Sequence, residues 1–296
     1  KDIVSTDTEW NARNFQVEWN RALNATDGFT FKTYYDYTNN DASISDEVRE
    51  TIDFDFRHWF DWGGNNSFIW GLNYRTTEDE LQNTQTVSVL PKDRRINTYS
   101  GFLQNTHYFN SKWALMLGSK IEHNDQTGLE VQPSARLSFE YSDDTTFWAS
   151  VSRAVRRPAR TDDDLNLIAP AIPALPTFAA VGAQANEFVG INILGDRESS
   201  SEELIAYEFG VRQDYLNKEV SLDLALFYND YSHLGTFTDL NGSAFSLERG
   251  DQDHGESYGV EASIKWHPTK DLDLMLNYTW FKLNLHGRDE TAEETQ

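Results

Sequence analysis

Four guanidinium groups crowd one short stretch of this chain: Arg153, Arg156, Arg157 and Arg160. The planar fork of arginine matches paired oxygens, so such a group suits a carboxylate or catecholate ligand. The same fork suits the three aspartates that follow, Asp162, Asp163 and Asp164, and internal ion pairing is the stronger of the two readings. The aspartates resemble a cation site only loosely, because a calcium loop alternates its ligands and adds a glycine and a closing glutamate. They are expected to form a solvated charge run. His58, His107, His123, His233, His254, His267 and His286 are scattered, and no pair has the local spacing of a zinc site. There is no cysteine, so neither a disulfide framework nor a thiolate metal site is available. No nucleophile elbow, glycine-rich phosphate loop or metalloprotease signature occurs, so neither an enzyme nor a cofactor is expected. A net charge of -23 disfavours nucleic acid and other polyanions as partners.

The arginines open a long segment, residues 155–200, whose middle reads LIAPAIPALPTFAAVGAQ. It is apolar and proline-rich, too long for an incidental hairpin loop, and expected to be irregular because of Pro170, Pro173 and Pro176. Long loops on a rigid scaffold tend to carry recognition. Phe178 and Phe188 therefore join the four arginines as candidate ligand contacts. The alternatives are an apolar surface for a partner and a loop that packs on its neighbours.

The elements that must hold this loop announce themselves by a two-residue alternation. In residues 47–57, Val48, Ile52, Phe54 and Phe56 share one face, and Arg49, Asp53, Asp55 and Arg57 share the other. Phe68, Trp70, Leu72 and Tyr74 likewise alternate with Gly71, Asn73 and Arg75, and Leu272, Leu274, Leu276, Tyr278 and Trp280 repeat the pattern. Period two means half-buried strands, either of a soluble sandwich or of a barrel whose apolar face meets lipid.

Several features favour the barrel. Most segments run about 10 to 13 residues, close to the 9 to 11 that a tilted strand needs to cross a bilayer and longer than the usual soluble strand. Connections alternate between short (24–28, 58–65, 109–111, 142–144, 214–218, 267–270) and mostly long (39–46, 77–93, 124–130, 155–200, 230–254). Short periplasmic turns and long outer loops are the outer-membrane arrangement. Tyr35, Tyr37, Trp59, Trp62, Tyr74, Trp113, Tyr141, Tyr228, Tyr231, Trp266, Tyr278 and Trp280 cluster near strand ends, where amphipathic rings suit the headgroup zone. No apolar run is long enough for a membrane helix.

The expected fold is thus all-β, an antiparallel up-and-down transmembrane barrel of about twelve strands. The parity of the turns leaves both chain ends on the outer side, so the barrel is expected to be incomplete and its first and last strands unpaired. Residues 155–200 become an extracellular loop. At that level acidic lumen residues and lipopolysaccharide phosphates are further alternatives as partners of the arginines. Glu50 and Glu208 are tests of register, since a slip of one residue turns either toward lipid.

The run GSKIEHNDQTGLEVQPSARL at 118–137, followed by FWASVSRAVRRPAR at 147–160, resembles the barrel of TonB-dependent outer-membrane receptors, in the branch similar to siderophore receptors. SEELIAYEFGVR at 201–212, LALFYNDYSHL at 224–234 and GVEASIKWHPTKDLDLMLNYTW at 259–280 continue the resemblance in order, and IWGLNYR at 69–75 fits it. It covers nearly all of residues 1–296. The resemblance implies a barrel of about 22 strands, filled in the full protein by an N-terminal plug whose contact with TonB drives uptake. It further implies a Gram-negative outer membrane, lipid and lipopolysaccharide as surroundings, and a scarce nutrient such as a ferric siderophore as ligand. The plug, the TonB box and the closing strands are expected to lie outside this sequence. A passive porin-like barrel and a soluble carbohydrate-binding all-β module remain open as alternatives.

Overall fold

The computed structural model describes residues 9–41, 46–84, 87–173, 188–216, 219–240 and 243–287. Twelve long strands make a continuous wall: β1 (Glu9–Ala22), β2 (Gly28–Asp41), β3 (Asp46–Trp62), β4 (Asn66–Gln82), β6 (Asp93–Tyr108), β7 (Trp113–Asn124), β8 (Gly128–Ser142), β9 (Thr145–Arg156), β12 (Glu202–Tyr215), β13 (Val220–Leu240), β14 (Ser243–Thr269) and β15 (Leu272–His286). Each pairs antiparallel with the next one in this series, and β9 pairs with β12. Among the described residues β1 pairs only with β2 and β15 only with β14, so the sheet stays open. Turns on the short side are tied locally. In the β6–β7 turn the Asn110 side-chain oxygen accepts from the N–H of Lys112 (2.8 Å) and Trp113 (3.0 Å).

The wall has its greasy face outward. Among the described residues the only buried hydrophobic side chains are Leu81 and Val89, whereas Phe15, Trp19, Leu72, Leu117, Leu276 and Tyr278 are all more than half exposed. In water that surface is a liability; in lipid it is the face a barrel needs. Among the described residues no helix is long and apolar enough to cross a membrane.

Several expectations need correction. The loops placed at 77–93 and 230–254 are largely strand, since β4 runs on to Gln82 and β13 and β14 leave only residues 241–242 between them. The reason is that a ladder supplies backbone partners in water as well as in lipid, so strands do not stop where apolar alternation stops. Segment 155–200 is not wholly irregular either. It holds α1 (Arg160–Asp164), β10 (Leu165–Pro173) and β11 (Phe188–Leu194). Pro170 falls at the register shift between Ala169 and Ile172, where a missing N–H is tolerated. Trp59 and Tyr231 leave the aromatic girdle. Trp59 shares the face of Asp55 and Arg57 and packs over Gly28, where a Cβ would come within 2.5 Å of its ring. The Tyr231 hydroxyl meets Ser257 at 3.3 Å on the polar face. Glu208 faces the polar side and accepts from Ser150 at 2.7 Å. Glu50 lies on the apolar face with Val48 and Ile52, opposite Tyr37 near the outer end of β3, where water and headgroups can solvate it.

At the end of the wall away from the short turns, the sheet turns across the opening. β11 pairs parallel with the tip of β14 (Asn192–Leu194 with Ser246–Glu248) and antiparallel with β10. β10 in turn pairs with β5 (Val87–Val89), which lies between β4 and β6. These three short strands thus join parts of the wall separated by β7, β8, β9, β12 and β13.

Candidate functional site

The cap is pinned by the residues in and around α1. A helix turns about 100° per residue, so three consecutive aspartates point in three directions. Asp162 turns back to cap its own helix, accepting from the Ala159 N–H at 2.7 Å, and also pairs with Arg249 Nε at 3.3 Å. Asp163 accepts from Arg94 Nη1 (2.8 Å) and Gln126 Nε2 (2.9 Å). The Asp164 carboxylate has no exposed area and receives Arg94 Nη1 (2.7 Å), Arg197 Nε (2.5 Å) and Arg160 Nη1. Arg160 also donates to Asp79 Oδ1 (2.8 Å) and the Pro91 carbonyl (2.6 Å), which ties α1 to the β4–β6 connection. The returning chain passes so close to α1 that a Cβ at Gly195 would meet the Asp162 carbonyl oxygen at 2.7 Å.

The three aspartates are therefore the hub of a buried ion-pair network, not a solvated run. Four carboxylates (Asp79, Asp162, Asp163, Asp164) face four guanidiniums (Arg94, Arg160, Arg197, Arg249), so the cap is neutral inside although the chain is strongly acidic. Burial by itself would lower the Arg94 guanidinium, but bonds to Asp164 and Asp163 outweigh it and hold the group above its ordinary value.

The arginines that the sequence grouped together separate in space. Arg153 shares the face of Ala149 and Val151; it donates to Glu203 (2.6 and 3.1 Å) and to the Val131 carbonyl. Arg156 pairs with Glu202 at 2.8 Å, mostly in solvent, and that bond raises its guanidinium above the usual value. Arg157 donates to Thr98 Oγ1 at 2.8 Å and lies 3.3 Å from Glu122 on the polar face. Arg160 is buried in the cap. Each thus has a carboxylate of its own, which is the ion-pairing alternative. Phe188 begins β11, opposite Pro173, and Phe178 lies outside the described residues.

Below the cap, on the polar face, is a cavity of about 360 Å³ lined by Arg57, Arg75, Lys120 and Arg157 with Asp55 and Glu122. Arg57 pairs with Asp55 (2.9 Å), Lys120 and Arg157 share Glu122 (2.6 and 3.3 Å), and Arg75 pairs with Asp53 just behind the lining (2.8 Å), so the four cations exceed their carboxylates by one positive charge in an acidic protein. Each comes from a different strand or loop, aligned by register: Arg57 stands opposite Gly71, and Lys120 opposite Phe102. Only Arg157 belonged to the group singled out in the sequence. The other three were visible as polar-face residues, but their convergence depends on strand pairing. The cap partners Asp79, Arg94, Arg197 and Arg249 carried no local signal at all.

A family model described as TonB dependent receptor-like, beta-barrel matches residues 2–296. A search of curated protein sequences finds no match. Among solved structures, the chain is similar to the siderophore receptor PirA from Pseudomonas aeruginosa, at 16% identity and a TM-score of 0.74, over 94% of this chain and 50% of that one. It is also similar to the ferric enterobactin receptor PfeA from Pseudomonas aeruginosa (14%, TM-score 0.70, 93% and 43%). The FrpB iron transporter from Neisseria meningitidis is a third (12%, TM-score 0.67, 94% and 44%). The chain spans about half the length of the solved receptors it matches. Identities this low establish the shared fold.

Proposed function

This chain belongs to the family of TonB-dependent receptor β-barrels, and we propose that it forms part of the wall of an outer-membrane transporter for an anionic iron chelate, a ferric siderophore. The observation that carries this reading is the four-cation cavity on the polar face. A ferric catecholate or carboxylate complex is rich in oxygen and negatively charged, and guanidinium forks bind such paired oxygens with charge-assisted bonds. An excess of positive charge on a wall of low dielectric favours the approach of an anionic ligand and speeds its capture. The solved relatives named for siderophores and iron agree in fold.

The cap favours a gated receptor over a passive pore, because three strands and a buried charge cluster cross the mouth. Passage of the ligand then needs work from outside the wall, which in this reading is supplied by TonB acting through a plug domain at the Gram-negative cell surface. The test is uptake of radiolabelled ferric enterobactin by iron-starved cells. Deleting the gene should abolish uptake, and Arg57→Gln with Lys120→Gln should weaken binding by about tenfold or more. Unchanged uptake on deletion, together with expression indifferent to iron, would sink the proposal.

A further inference from the structure

A second cavity lies on the extracellular side, and it originates in a proline. The β8–β9 ladder begins at Ser134 opposite Ser152 and does not extend past Pro133, which has no N–H to continue it. β9 meanwhile continues along β12 as far as Arg156 opposite Glu202. The top of β8 is thereby parted from β9 and β12. Arg153 bridges the gap by donating to the Val131 carbonyl and to Glu203, and the Ser201 hydroxyl donates to Thr127 Oγ1 at 3.2 Å.

The cleft above this bridge measures about 470 Å³, within the range of small-ligand sites. Its lining includes Thr127, Glu130, Ser199, Ser201, Glu203 and His233. Two of these groups are left in unfavourable states. Ser199 is 5% exposed, and its buried Oγ has no hydrogen-bond partner among the described residues. An unmade bond of that kind costs about 1–3 kcal/mol. His233 holds a left-handed backbone, φ 57°, at the irregular stretch of β13 between Tyr231 and Leu234. Strain of this sort gathers where a backbone is bent to present a side chain.

The lining also selects the ligand. Three carboxylates in the wall, Glu130, Glu198 and Glu203, outnumber its one guanidinium, Arg197, which is already engaged by Asp164 and the Leu90 carbonyl, so an anion is repelled, and the scarcity of apolar groups gives a greasy ligand nothing to cover. Among the described residues no three His, Cys, Asp or Glu side chains are placed to hold a metal ion. A neutral, hydroxyl-rich molecule satisfies both kinds of group, since each hydroxyl can donate to a carboxylate and accept from serine. We propose that this cleft binds a saccharide unit, at a site separate from the basic cavity and independent of the iron ligand. The sugar comes either free from the medium or as the headgroup of a glycolipid in the surrounding outer leaflet.

The test is saturation-transfer NMR on the full receptor purified from outer membranes in detergent. The probes are D-glucose, D-galactose and N-acetyl-D-glucosamine, offered free and then as glycolipid headgroups in nanodiscs. Transfer to a free sugar identifies a soluble source, and transfer only in nanodiscs identifies a membrane source; either supports the site. Ser199→Ala should weaken the responding sugar by about tenfold while the melting temperature holds or rises, because the variant removes a buried hydroxyl with no partner. No transfer to any sugar, equal binding by the variant, or displacement by inorganic phosphate would overturn the assignment.

Discussion

The wall and the cap are held together in opposite ways. In the wall, neighbours in space are neighbours in sequence: β1 to β4 and β6 to β9 each pair with the strand before or after, and backbone ladders do the joining. In the cap, partners are far apart. Arg160 reaches Asp79 across 81 positions, and Arg197 reaches the Leu90 carbonyl across 107. The wall also turns apolar side chains outward and keeps polar groups on its other face, whereas the cap buries Asp79, Arg160, Asp163 and Asp164. Ladder bonds tolerate many side chains as long as the period is kept. A buried ion cluster tolerates few, because removing one member leaves the others charged, desolvated and unpaired.

That contrast predicts its largest effect at Asp164. Asp164→Ala removes the buried carboxylate that Arg94, Arg160 and Arg197 share, leaving Arg94 to Asp163 and Arg160 to Asp79, and should cost the cap about 3 kcal/mol. Hydrogen exchange should quicken in residues 87–95 and 160–168 while β7 and β8 keep their protection; loss of protection throughout would mean that wall and cap are one cooperative unit. The wall's own weak point is its lipid face. Leu276→Arg, within the apolar series from Leu272 to Trp280, should cost about 2–4 kcal/mol in refolding from urea into vesicles. Asn277→Arg, one residue on and facing the polar side with Ser263, should be nearly neutral. Equal costs would refute the assigned faces.

The smallest effect is a pH dependence where the cap meets the outer part of β14. Burial by itself would raise the Asp251 carboxyl, but the Ser200 N–H, which it accepts at 2.8 Å, and nearby His233 together hold it below the ordinary aspartate value. A carboxyl depressed in the folded state stabilises it above the unfolded pKa, and that contribution is lost as pH falls through the folded pKa. Acidification should therefore loosen residues 199–201 before the wall responds, and Asp251→Asn should remove the dependence. A proteolysis rate at this turn with the same acid profile in wild type and variant would count against it.

Much of the wall was legible in the residues. The alternation of Phe54 and Phe56 with Asp55 and Arg57 gives strand and face together, because side chains in a strand alternate at a period of two whatever the tertiary setting. The exceptions are instructive. Trp59 reads as a girdle residue by type, yet it falls on the polar face because the pairing of β3 with β2 sets it over Gly28. Pro170 reads as a breaker, yet it sits within β10 at a register shift.

Periodicity, strand length, the alternation of short and long connections and the placement of aromatic rings determined an all-β wall of about twelve long strands with one face for lipid and one for polar contacts, since these properties are local and repeat along the chain. Only the tertiary structure decided that Asp163 and Asp164 are buried, that four neighbouring arginines part company, and that Arg57, Arg75, Lys120 and Arg157 meet around one cavity. The physical reason is that a charge has no preferred partner in sequence. Its partner is whichever opposite charge the register of distant strands brings within hydrogen-bond reach.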